Sequence, residues 1–324
     1  MRSLVTRFDQ HANATRNKAG LCSLLVLGLV FGLTSGCAKQ QEASSASTLD
    51  SAAVPGSWWG QDSTHLAFDA TKFTNPTQIT NEFFPLKPGL QMDYVGTALD
   101  DEGEKIDRKM QINVTDLTKM VGGVRCVVSY DLDWSEGPLV EAELALFAQD
   151  DAGNVWLMGE YPEEYDDGDG VLTGNPAWFH GVDGAKAGIL VPAEAKVTGT
   201  TFSQGWSSLV GYSDRGRVDS VGVSTCVPLD CYENLMVVAE TSGDEVEVEQ
   251  LKYYARGVGN VRAHWRGKND QEHSTFELTK ITMLDAKTLA KMRSEALALE
   301  KKAIKGNTSY QQTQPIESAH SANQ

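Results

Sequence analysis

The sequence predicts a mainly β chain: one large antiparallel domain, a curved sheet or half-barrel, with an α-helix at its C-terminal end. Three observations predict it. Residues 91–278 break into short segments in which apolar and polar residues alternate, the period of a strand. Turn residues separate these segments and no helical crossover intervenes, which means hairpins and hence antiparallel pairing. A single later stretch, 285–305, carries the helical period instead.

The strands follow in order. Residues 110–115 alternate, Gly122 and Gly123 make a turn, and 124–130 alternate again. Residues 141–149 lead through Asp150, Asp151, Ala152 and Gly153 into 154–159, a hairpin about a glycine-containing turn. Segments 198–202, 217–223 and 234–241 come next. In 245–254 glutamates alternate with apolar residues, so one face is expected to meet water; 261–265 and 275–281 complete the series. The helical stretch has Leu289, Met292, Ala296 and Leu299 on one stripe, Asp285 near its start and Gly306 at its stop. Residues 306–324 are polar and are expected to be disordered.

The N-terminus speaks to compartment. Arg2, Arg7, Arg16 and Lys18 precede an apolar run at 21–33, shorter than the roughly 20 residues a bilayer core requires. Small residues Thr34, Ser35 and Gly36 then lead to Cys37. This order is that of a secretory signal, and the cysteine after small residues resembles the lipobox of bacterial lipoproteins. The resemblance implies cleavage before Cys37 and acylation of it, with membrane attachment through more than one chain, since one chain anchors only marginally. Thr34 departs from the lipobox pattern, which prefers Leu there. Ala38, rather than Asp, follows the cysteine; in a Gram-negative host that implies the outer membrane. The expected organisation is a signal at 1–36, a flexible Gln/Ser/Ala-rich tether at 37–57, the β domain at 58–283, the helix at 284–305 and the tail at 306–324.

Charge narrows the partners. The chain carries a net charge of −16. Removing residues 1–36 takes away four cations and one anion, leaving −19. So acidic a surface repels nucleic acid and anionic head groups. With charged residues at only 22%, the chain still has enough apolar content to pack.

Five ordered motifs carry a family resemblance: Asn81 to Gly89 leading to Tyr94; Asp150 to Trp156; Gly181 to Ala193; Val227-Pro228 with Tyr232 and Asn234; and Tyr253 to Val261. Together they resemble an uncharacterised family of secreted bacterial β-rich lipoproteins and exported proteins. The resemblance implies fold and compartment and implies no chemistry. Its members usually carry Gly and Thr near positions 226 and 231, so the cysteine pair there belongs to this chain.

Candidate sites are few. His65, His180, His264 and His273 form no metal-binding pattern, and His264 reads as a strand histidine. No nucleophile elbow, P-loop or dinucleotide glycine run occurs; Gly257 and Gly259 lie between strands and read as a hairpin. No catalytic residue and no cofactor is expected. The acidic run 160–170, with Asp167 and Asp169, is either a solvated turn or a weak Ca²⁺ candidate; it lacks the Glu that closes an EF-hand loop. Cys226 and Cys231 flank a tight turn and suit a hairpin disulfide, with metal or redox use as the alternative. Cys126 reads as a buried free thiol. Trp178, Phe179 and His180 have the composition of an exposed loop tip that could bind a ligand.

Two functions compete. The first is a membrane-anchored, non-catalytic binding or accessory module for a protein or polymer partner. The second is a carrier of an apolar ligand in a half-barrel cavity.

Overall fold

The computed structural model describes residues 67–100, 102–166, 168–243, 247–268 and 273–318. Cys37, the signal, the tether and Asp167 lie outside the described residues. The long strands are β1 (Leu90–Leu99), β2 (Lys105–Val121), β3 (Val124–Ser135), β4 (Leu139–Gln149) and β5 (Val155–Tyr165). Short pieces follow: β6 (Leu172–Gly174), β7 (Trp178–Phe179), β8 (Lys186–Val191), β9 (Phe202–Ser203) and β10 (Gly205–Trp206). Then come β11 (Arg215–Cys226), β12 (Cys231–Thr241), β13 (Val248–Ala255), β14 (Gly259–Gly267) and β15 (Thr275–Met283). Helix α1 (Ala286–Gly306) and β16 (Glu317–Ser318) are the last elements among the described residues.

All pairings are antiparallel, and the sheet is nearly closed into a barrel in the order β10-β8-β5-β4-β3-β2-β1-β15-β14-β13-β12-β11-β9. Closure depends on one short segment. Phe202 and Ser203 pair with Gly216 and Arg215 of β11, and one residue later Gly205 and Trp206 pair with Ala187 and Lys186 of β8. Two glycines permit this approach. A Cβ on Gly188 would lie 2.3 Å from the Ser203 carbonyl oxygen, and one on Gly205 would lie 2.6 Å from the Tyr212 ring.

The two largest apolar clusters among the described residues lie on opposite faces of the sheet. Outside the barrel, Cys126, Val128, Leu144, Leu146, Trp156 and Met158 pack beneath the α1 stripe Met292, Ala296, Leu299 and Ala303. Inside, Val114, Val127, Phe147, Leu157, Trp178, Tyr212, Met236 and Tyr254 fill one end with Ile79, Phe83 and Leu86 of the preceding segment. Asn81 locks that segment in place: its amide donates to the carbonyls of Gly153 (2.9 Å) and Pro192 (3.1 Å) while its oxygen accepts from Phe83 N. Strands β3, β4 and β5 are therefore covered on both faces.

Asp285 caps α1, its carboxylate accepting from Thr288 N at 2.7 Å. The expected disorder after the helix does not extend to 307–318. Tyr310 is 1% exposed and Ile316 8%, and Glu317 and Ser318 pair with Thr118 and Leu117 of β2. Two well-spaced apolar residues suffice because a buried ion pair waits beneath them. Lys119 and Glu300 meet at 3.4 Å, and the Glu300 carboxylate also accepts from Tyr310 OH (2.9 Å) and Ile316 N (2.7 Å).

Cys226 is disulfide-bonded to Cys231 at the β11–β12 turn, and Cys126 is a buried free thiol. Burial pushes the Cys126 thiol well above its ordinary range, which makes it unreactive. Non-reducing peptide mapping is expected to return the 226–231 link and a Cys126 that alkylates only after unfolding. With five residues of separation the link should stabilise by less than the roughly 3 kcal/mol of a 15-residue loop. Recovery of Cys126 in any disulfide would contradict this register.

Candidate functional site

Alternation puts every second residue of β2 to β5 inside the barrel, and toward one end those residues are acidic. Asp131 and Asp133 alternate with Tyr130 and Leu132, which belong to the core beneath α1, so the aspartates point inward. The register sets Asp133 opposite Glu141, and Glu141 opposite Glu164. One rung along, Asp131 faces Glu143; further in, Ala145 faces Glu160. Residues directly opposite across an antiparallel pair have Cβ atoms about 5 Å apart, where like charges repel. Across the lumen Glu240, Gln250 and Lys252 also point inward. The seven carboxylates are each at most 7% exposed, and among the described residues Arg108 and Lys252 are the cations that point inward with them.

Specific partners hold part of this chamber. Ser129 Oγ donates to Asp131 at 2.6 Å, and Trp178 Nε1 donates to Glu160 at 3.0 Å. Glu240 accepts from Gln204 (2.7 Å) and pairs with Lys252 (2.7 Å), tying the closing segment to the far wall. Arg108 donates to Ser274 Oγ at 3.2 Å. Asp131 Oδ2, Asp133 Oδ1 and the Gln250 amide accept or donate no hydrogen bond among the described residues.

The electrostatic consequence follows from burial. Desolvation raises Asp131 to about 7; its bonds from Ser129 and Asn113 N oppose the rise and Glu160 adds to it. Asp133 rises to about 8, again through desolvation, with Arg108 opposing and Asp131 adding. The chamber can therefore hold protons near neutral pH. Among the described residues, no group of three or more His, Cys, Asp or Glu is arranged to hold a metal ion.

A second feature is the seam. Gly188 to Val191 of β8 and β11 beyond Gly216 share no ladder, and a groove of about 350 Å³ lies beside this seam, between the 152–154 turn and the 192–202 segment. Asn154, Pro192, Lys196, Thr200, Phe202 and Val218 line it. Val218 belongs to the inner core, so the groove touches the apolar end of the lumen.

Several expectations change against this geometry. Trp178 (1%) and Phe179 (0%) are buried, not a loop tip, because β7 pairs with β5 and Trp178 stacks on Tyr212 at 4.9 Å. His180 Nδ1 accepts from Ala187 N, and its ring lies 3.9 Å from that of Phe68. His273 stacks on Trp265 instead, so these two histidines occupy separate places. Within the acidic run, Glu163 is buried and accepts from Tyr161 (3.0 Å) and Lys302 (2.8 Å). Asp169 is exposed, and its carboxylate accepts from Val171 N. The acidic face of β13 is not solvated either: Glu249 is 0% exposed because Arg217 (2.7 Å) and Arg266 reach over it.

The chamber residues were legible only as alternating acids on strands, a pattern that reads equally as a solvent face.

No family model matches the chain, and no curated protein matches it. Two crystal structures are similar, each over 62% of this chain and 99% of its own. One is a Bacteroides fragilis protein described as exported, with a YmcC-like fold, at 13% identity and a TM-score of 0.37. The other is a Parabacteroides distasonis protein described as a lipoprotein, at 14% identity and 0.33. At that distance neither carries residue roles to this chain.

Proposed function

We propose that the chain is an exported lipoprotein, cut before Cys37 and held by acyl chains on it. It works at the cell envelope as a non-catalytic binding or accessory module. The outer membrane is its place in a Gram-negative host. The observation that carries the non-catalytic reading is the position of the ionisable groups. They converge inside a barrel whose wall shields each carboxylate from solvent, not in a cleft a substrate could enter. Catalysis needs acid, base or nucleophile within hydrogen-bond reach of a bound molecule. The acidic exterior keeps the module clear of nucleic acid, and the tether after Cys37 gives it reach to meet a protein or polymer.

The test of the anchor is Cys37→Ser. The parent is expected in the membrane fraction with incorporated acyl label, and the variant in the soluble fraction with none. A variant that sediments with membranes as the parent does would refute this attachment.

A carrier role is the second reading, and the seam groove with Phe202 and Val218 favours it. Mass spectrometry of the purified protein decides between them. Stoichiometric co-purified lipid supports the carrier, and a lipid-free protein supports the binding module.

A further inference from the structure

Helix α1 departs from the acidity of the chain. Its inner stripe is buried on the sheet. Its outer side exposes Lys287, Lys291, Lys301 and Lys305, at spacings that keep them along one side of a rod about 31 Å long. Leu297 (37% exposed) and Ile304 (42%) stand among them. The helix cations nearest the sheet are neutralised there: Arg293 Nε donates to Asp116 at 2.8 Å, and Lys302 pairs with Glu163. Lys291 shares Glu295 at 3.5 Å. The outward face is thus basic and partly apolar on a protein whose overall charge is strongly negative.

A second observation concerns where the chain from Cys37 joins the barrel. Phe68 packs on Trp156 (5.8 Å between rings) and His180, in the same outer core that seats Met292 and Leu299. The lipid-bearing end therefore enters on the face that α1 covers.

We infer that the outer face of α1 is a docking surface for anionic phospholipid, laying the barrel helix-side down on the membrane that holds Cys37. This rests on the anchored reading above. The acyl chains supply residence at the bilayer, and the lysines with Leu297 and Ile304 set orientation. The same arrangement turns the rest of the acidic barrel away from the negative surface, which lowers repulsion. A lysine near an anionic surface contributes roughly a fivefold gain in binding, and salt should screen it within about 8 Å at physiological ionic strength.

The test uses the Cys37→Ser chain, which has no acyl group, so that its outcome is separate from that of the anchor. Sedimentation is measured with vesicles of phosphatidylcholine alone and of phosphatidylcholine with phosphatidylglycerol. Binding is expected only to the second, removed by high salt and kept by Lys287→Arg, Lys301→Arg, Lys305→Arg. Reversal with Lys287→Glu, Lys301→Glu, Lys305→Glu should weaken it about tenfold or more. Lys105→Glu, Lys109→Glu, Lys280→Glu, which changes net charge equally on β2 and β15, should not. Equal loss in both triple variants would overturn the proposal, since the effect would then be net charge alone. Because net charge could mask weak binding, acetylation of Lys301 and Lys305 is also measured in the acylated protein on both vesicle types. Protection on phosphatidylglycerol supports docking; equal reactivity on both overturns it. Capture of soluble polyglutamate with no vesicle preference would overturn it too, marking the face as a site for acidic polypeptide.

Discussion

Thermal unfolding is expected to show higher stability near pH 5 than near pH 8.5, the reverse of a protein held by ionised carboxylates. Asp131 and Asp133 ionise at about 7 and about 8 in the folded chain against an ordinary 3.8. Between those limits the folded state holds protons that the unfolded state has released. Their contribution is therefore fully present below about pH 4 and is lost as pH rises through 7 and 8. A one-unit shift corresponds to about 1.4 kcal/mol. From pH 5 to pH 8.5 the two groups together therefore weaken the fold by at least about 3 kcal/mol. At this size that is a fall of roughly 6–12 °C in Tm. Asp69, Asp219 and Asp285 have the opposite, lowered shifts and act only in acid, below the window. Lys119, lowered to about 8 by burial, acts from about pH 8 upward and in the opposite sense, so it offsets a small part of the loss at pH 8.5. Asp133→Asn should raise Tm at the alkaline end, leave it near the parent value at pH 5 and flatten the slope by about half. A parent as stable near pH 8.5 as near pH 5, or an Asp133→Asn slope equal to the parent's, would remove the chamber from this account.

The largest mutational loss is expected from Glu300→Ala. That carboxylate accepts from Tyr310 OH and Ile316 N and faces Lys119, which is 0% exposed. Removing one member of a buried pair leaves the other uncompensated and costs about 3–5 kcal/mol. Here the two further donors lose their acceptor as well. Global Tm should fall by roughly 10 °C. Hydrogen exchange in 307–318 should become fast even at temperatures where the barrel stays folded. Lys119→Met with Glu300→Met should recover part of the loss, because no charge is then stranded. If 307–318 keeps its protection in Glu300→Ala, the clamp is not what orders the C-terminal segment.

Neither of these sites was legible in the sequence, although the elements that carry them were. Alternation, glycine turns and a single helical period were sufficient for the antiparallel hairpins. The 150–153 turn, the 257–259 turn and α1 with its Met292, Ala296 and Leu299 stripe all appear where the local pattern puts them. Those features depend on neighbours in sequence, where backbone and side-chain preferences act. The disulfide was legible for the same reason, its cysteines lying across one turn.

The direction each face points was not legible. A strand such as β4 has Glu141 and Glu143 on one side and Ala142, Leu144 and Leu146 on the other. Local pattern assigns the acids to water. Closure of the barrel reverses that, because the outer face receives α1 and the inner face is sealed. The closing is done by β9 and β10, two residues each, too short to carry any period. Glu249, Glu163 and Trp178 were misplaced for the same physical reason: their cover comes from Arg217 and Arg266, from Lys302, and from Tyr212, all distant in sequence. The ordered segment 307–318 likewise needs Lys119 beneath it. The residue types and their alternation were thus determined by sequence alone. Which carboxylates lose water, and so hold protons near neutral pH, was decided by tertiary closure, because desolvation depends on what the whole barrel places around a group.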